Sequence, residues 1–123
     1  MYDSAYFTIG KKHVCFPFDA ILYIEANGNY AIVADSKNHK ATVSHTLFAI
    51  QTVLPPNLFV RIHRSFIISV KKITRFDKGM VTVGKEEIPI NEEAYKVLCS
   101  MLIMPDKTQR SKKFKTKLAA VKS

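Results

Sequence analysis

Apolar and polar positions along this chain switch in short blocks, a rhythm that predicts strands separated by tight turns. Tyr6-Phe7-Thr8-Ile9 and His13-Val14-Cys15-Phe16 flank Gly10 and Lys11-Lys12, which predicts a hairpin ended by Pro17. Behind Asp19 comes the run Ala20-Ile21-Leu22-Tyr23-Ile24, long enough for a buried strand and too short for a typical helix before the turn residues Asn27-Gly28-Asn29. Two more apolar blocks, 30–35 and 40–43, surround the polar Ser36-Lys37-Asn38-His39 and continue a meander. In 59–65 basic and apolar residues alternate, with Val60 and Ile62 inward and Arg61 and His63 outward, before the apolar 66–70. Blocks 73–76, 80–83 and 86–90 add three strands around Asp77-Lys78-Gly79 and Gly84-Lys85.

Two stretches follow a helical period instead. Ser44 is placed as an N-cap before Leu47, Ile50 and Leu54 at i, i+3 and i+7, and Pro55-Pro56 stops the run. Asn91 is placed as the cap of a second helix, with Glu92 and Glu93 in the first turn where the macrodipole favours acids. Ala94, Leu98 and Met101 point inward there, and Pro105 marks the end. The fold class is therefore mostly β: antiparallel sheets of short strands with one or two short α-helices. One domain over 1–105 and a basic tail over 106–123 are expected.

With 123 residues, 47% of them apolar, the chain can bury one modest core. No apolar run approaches the roughly 18 residues of a membrane span, so a soluble, cytoplasmic protein is expected. Its net charge of +9 favours a polyanionic partner. That charge is unevenly placed: the tail holds seven basic residues against one acid, a net +6, which leaves +3 for the body. Its cluster Lys112-Lys113-Phe114-Lys115-Thr116-Lys117 suits either non-specific attraction to phosphate or simple solubility. Cys15 and Cys99 stand far apart in apolar contexts and are expected as buried free thiols. His13, His39, His45 and His63 lack metal-ligand spacing, and the pairs Glu86-Glu87 and Glu92-Glu93 diverge, so no metal, cofactor or enzymatic activity is expected.

Four segments, in order and at matching intervals, resemble the LytTR DNA-binding domain across about Tyr6 to Leu102. Residues 19–30, DAILYIEANGNY, are similar to that family's strand-loop-strand signature, and 59–68, FVRIHRSFII, to its more specific second signature. Val43-Ser44 leading to Leu47 and Leu54-Pro55, and Glu87-Ile88-Pro89-Ile90 before the last helix, are weaker matches. The resemblance implies an elongated fold of antiparallel sheets whose loops enter successive major grooves of double-stranded DNA. Carried over by position, base and phosphate contacts fall on Asn29 and Tyr30, on His63, Arg64 and Ser65, and on Asn91. It also implies a bacterial transcription regulator of two-component systems, acting on repeated half-sites with two copies on the DNA. A phospho-acceptor receiver domain commonly precedes such domains; none precedes Met1-Tyr2, which suits a standalone regulator or an excised effector domain. The chain departs from the pattern at Ser69, where the family often has Asn, and at Asn91-Glu92, where it usually has Ser-Arg.

Each candidate also has a plainer role open to it. Arg64 could bond guanine O6 and N7 together, or pair on the surface with Glu25 or Glu86. His63 could touch DNA or serve as a structural hydrogen-bonder. Asn29 and Tyr30 suit a turn and a strand edge as well as a contact. Arg61, Lys71, Lys72 and Arg75 are candidate phosphate contacts that would position without specifying sequence, or members of a solvated face. Two rival functions stay open: a small basic β-protein binding RNA or the ribosome, and a protein-interaction module derived from a LytTR domain.

Overall fold

The computed structural model describes residues 3–105, so the basic tail and its lysine cluster lie outside the described residues. Ten strands and two helices form in the order the polarity pattern predicts. The strands are β1 (Ser4–Ile9), β2 (Lys12–Pro17), β3 (Ile21–Asn27), β4 (Tyr30–Asp35), β5 (Lys40–Val43), β6 (Phe59–His63), β7 (Phe66–Ser69), β8 (Ile73–Phe76), β9 (Met80–Val83) and β10 (Glu86–Pro89). Helix α1 (Leu47–Gln51) separates β5 from β6, and α2 (Glu92–Met101) follows β10.

A central five-stranded sheet, ordered β5-β4-β3-β7-β6, carries the long apolar strand β3 in its middle. Strands buried on both faces read as continuous apolar runs, and Ile21, Tyr23 and Ile24 are each nearly inaccessible. One face packs Ile24, Val33 and Ile67 against Phe7 of the β1–β2 hairpin and Leu47 and Ile50 of α1. The other packs Tyr23, Ile62 and Ile68 against Val81, Val83 and Ile88 of the three-stranded sheet β10-β9-β8 and against Ala94 and Leu98 of α2. All pairings are antiparallel.

Four details differ from the sequence reading. Helix α1 is capped by Thr46, whose hydroxyl accepts from Ala49 N at 3.2 Å, not by Ser44. The Ser44 N–H is instead spent on Thr8 O at 2.8 Å, tying the hairpin to β5. Cys15 is exposed and Cys99 only half-buried: on β2 it is Val14 and Phe16 that turn inward, which leaves Cys15 between them on the outer face. Finally, α2 ends at Met101, itself half-buried, because Leu102 already leaves helical geometry (φ −105°, ψ 148°) before Pro105 is reached.

No described helix is long and apolar enough to cross a membrane.

Candidate nucleic-acid interface

Two-residue turns bring the sequence-predicted residues to one end of the central sheet. Strand β3 pairs with β4 through Asn27 and Tyr30, leaving Gly28-Asn29 as the turn. Gly28 takes φ 64° while Asn29 does not enter the left-handed region; a glycine in the first central position is what a type II′ hairpin requires. In the same way β6 pairs with β7 through His63 and Phe66, leaving Arg64-Ser65. Because Glu25 of β3 lies opposite Phe66 of β7, both turns project from the same edge of the sheet. Ala26 N donates to Ser65 O at 2.8 Å and fastens the second turn to the end of β3.

The backbone of the Arg64-Ser65 turn is held from three sides. Besides the Ala26 bond, Ser65 N donates to His63 Nδ1 at 3.0 Å, and Arg61 Nη2 donates to Arg64 O at 2.7 Å. With Nδ1 accepting, Nε2 is the donor nitrogen of the His63 ring, and it has no hydrogen-bond partner among the described residues. The ring stands edge-on to Phe66 with centroids 5.7 Å apart. Both plain and functional roles of His63 are thus available at once, through different nitrogens.

Arg61 and His63 do not share the simple outward face that strict alternation predicts. The β6–β7 register shifts between them, so Ile62 is the extra residue of a bulge, and a bulge breaks the two-residue period and re-aims side chains. Ile62 joins the core beneath α2. Arg61 reaches toward α1, where its Nη1 donates to Gln51 Oε1 at 3.1 Å.

Arg64 itself is exposed, and among the described residues neither Glu25 nor Glu86 forms an ion pair with it. A shallow groove beside it is bounded by Arg61, His63 and Arg64 on one wall and by Asn91, Glu93 and Val97 of the α2 N-terminal region on the other. Asn91 caps α2, its Oδ1 accepting from Ala94 N at 2.8 Å, which leaves its amide Nδ2 as a donor on an exposed residue that lines the groove. Tyr30 is 52% exposed at the neighbouring turn.

Asn29, Tyr30, His63, Arg64 and Ser65 therefore gather at one end, with Asn91 beside them. Lys71 and Lys72 do not, since they follow β7 at its other end, and Arg75 lies on β8 of the three-stranded sheet. Lys71 pairs with Asp19 and Arg75 with Glu87, at 3.4 and 3.3 Å. Gln51 was not singled out from sequence, and Glu93 only as a first-turn acid of α2; each comes near Arg61 or Arg64 through packing of a different element. Among the described residues no group of acids, histidines and cysteines could hold a metal ion.

A mostly-β domain that gathers unpaired donors on fixed turns at one sheet end has the build of a module that reads a polyanion's surface groups. The family comparison makes this specific. The model of the LytTr DNA-binding domain matches residues 11–103, and the chain belongs to that family. It is thus a DNA-binding domain of the kind used in transcription regulation, and the family is not an enzymatic one. Among solved structures, it is similar to the LytTr DNA-binding domain described as that of a methyl-accepting/DNA response regulator from Bacillus cereus. The two share 20% identity with a TM-score of 0.65, over 82% of this chain and 97% of that one, which establishes the shared fold. No curated protein matches the chain significantly in sequence.

Proposed function

We propose that this domain recognises specific sequences in double-stranded DNA by placing the Arg64-Ser65 and Gly28-Asn29 turns in the major groove, as the effector part of a bacterial transcription regulator. The observation that carries the reading is an exposed guanidinium, free of ion pairs among the described residues, on a turn whose backbone is fixed on three sides. A turn whose backbone is already fixed loses little backbone freedom on binding, and a bidentate arginine-guanine pair contributes about 1–3 kcal/mol of discrimination.

Asn29, Tyr30, Ser65, the His63 Nε2 and the Asn91 amide supply neighbouring donors to bases or phosphates. Lys71, Lys72 and Arg75, outside that cluster, serve as phosphate contacts on DNA that bends along the domain. Such a small module buries limited surface, so two copies on repeated half-sites are the expected complex. Control by a receiver domain, as the response-regulator description of the Bacillus cereus neighbour suggests, fits this reading.

Selection from a random duplex library, followed by anisotropy titration, tests it. A recurring motif containing guanine should emerge, and Arg64→Ala should lose about 1–3 kcal/mol of preference for it. An unselective library, or a better yield from single-stranded RNA, would contradict the proposal.

A further inference from the structure

Arg61 resembles a phosphate contact in sequence, but its geometry points elsewhere. Its guanidinium is engaged at both ends: Nη2 on Arg64 O at 2.7 Å and Nη1 on Gln51 Oε1 at 3.1 Å. A phosphate would have to compete with both acceptors. The planar fork spans two elements, α1 and the β6–β7 turn, in a way a single ammonium cannot reproduce. The Ile62 bulge is what turns Arg61 toward α1 while Arg64 stays at the tip.

We infer that Arg61 is a positioning residue, a brace from Gln51 of α1 to the Arg64 carbonyl that fixes the direction in which the Arg64 side chain leaves the turn, and so sets sequence discrimination without touching DNA. This rests on the reading of Arg64 as a base contact. Positional errors of this kind matter because a bidentate pair tolerates little misalignment. Gln51 becomes part of the recognition apparatus although it lies outside the groove.

The conservative variant separates a brace from a phosphate contact. Arg61→Lys keeps the charge and loses the fork. If Arg61 braces the turn, Arg61→Lys should lose preference for the selected site by roughly 5- to 150-fold, as Arg64→Ala does. Its non-specific affinity and salt slope should stay at wild-type values. Combining Arg61→Lys with Arg64→Ala should add nothing further, since residues acting as one unit are non-additive. Gln51→Glu keeps the acceptor and should preserve the preference, whereas Gln51→Ala should lower it.

Nitrogen-15 relaxation on the DNA-free full chain provides a readout independent of any ligand. The Arg64 and Ser65 amides should fall from an order parameter of about 0.85 toward 0.6 in Arg61→Lys. Unchanged turn amides overturn the brace whatever the DNA result. So does a normal preference in Arg61→Lys together with an Arg61→Ala salt slope reduced by about 0.9, the mark of one lost phosphate contact. Loosened amides in a protein whose wild type selects no motif overturn the base-contact reading instead.

Discussion

Asn91 shows how one side chain can hold two roles that a suitable pair of substitutions pulls apart. Its Oδ1 caps α2 through Ala94 N, and the residue lines the groove beside Arg64 with its Nδ2 as a further donor. Asn91→Ala should lose the cap, about 1 kcal/mol of stability, and weaken DNA binding as well. Asn91→Asp keeps the cap and places an anion where the helix dipole welcomes it, so thermal stability should hold or rise while DNA binding falls. Paired thermal melts and anisotropy titrations check this; binding that simply follows stability in both variants would show that Asn91 only caps. At this scale, the exposed position of Arg64 was legible because the FVRIHRSFII segment resembles a known signature. The hydrogen bonds of Arg61 were not, because they depend on a bulge that the alternation of Val60 to His63 conceals and on Gln51, ten residues away on another element.

The turns decide where those side chains go. Gly28 and Gly84 both adopt positive φ, 64° and 61°, but only Gly84 has a neighbour where a Cβ would stand, Leu22 Cδ2 at 3.2 Å. Gly28→Ala should therefore cost only left-handed backbone strain, about 1–2 kcal/mol, and disturb DNA binding through the adjacent Asn29. Gly84→Ala adds a tight contact with the partly buried Leu22 side chain and should destabilise more, with binding per folded molecule unchanged. Denaturant titration of both variants, with affinity corrected for folded fraction, tests the ranking; equal destabilisation would contradict it.

The β4–β5 loop gives a pH-dependent element. His39 N first, then Lys37 N, donates to Asp35 and holds its carboxyl below the usual carboxylate range. With the folded value lowered, this stabilisation is complete above the ordinary aspartate pKa of about 3.9 and is lost as pH falls through the lower folded value. Asp35→Asn should accordingly be less stable than wild type at neutral pH, and the gap should narrow in acid below the ordinary aspartate pKa. A gap of the same size at neutral and acid pH would contradict the assignment.

Strands were the most legible elements, since continuous apolar runs mark β3 and glycine or asparagine marks nearly every turn. The start of α1 was less so. Ser44 and Thr46 are both good caps, and a tertiary bond from Ser44 N to Thr8 O decides between them. Cys15 shows the same limit, because its side of β2 follows from which neighbours, Val14 and Phe16, reach the core.

Across the whole molecule, two cores on opposite faces of one sheet leave its ends free, and the sequence places the unpaired donors at one of them. The hairpin with α1 and the three-stranded sheet with α2 act as buttresses: α1 meets the Arg64-Ser65 turn through Gln51 and Arg61, and Asn91, the cap of α2, lines the groove beside it. Net charge, the most conspicuous number in the composition, contributes little to this arrangement because most of it sits beyond residue 105. Specificity is assigned instead to one exposed guanidinium on a fixed turn, meeting one base edge. Replacing each guanine of the selected site in turn by 7-deazaguanine, which lacks the N7 acceptor, and titrating wild type and Arg64→Ala measures that contact directly. One position should cost the wild type about 1 kcal/mol or more and cost Arg64→Ala nothing. If every replacement weakens both proteins equally, or neither, Arg64 does not read a base.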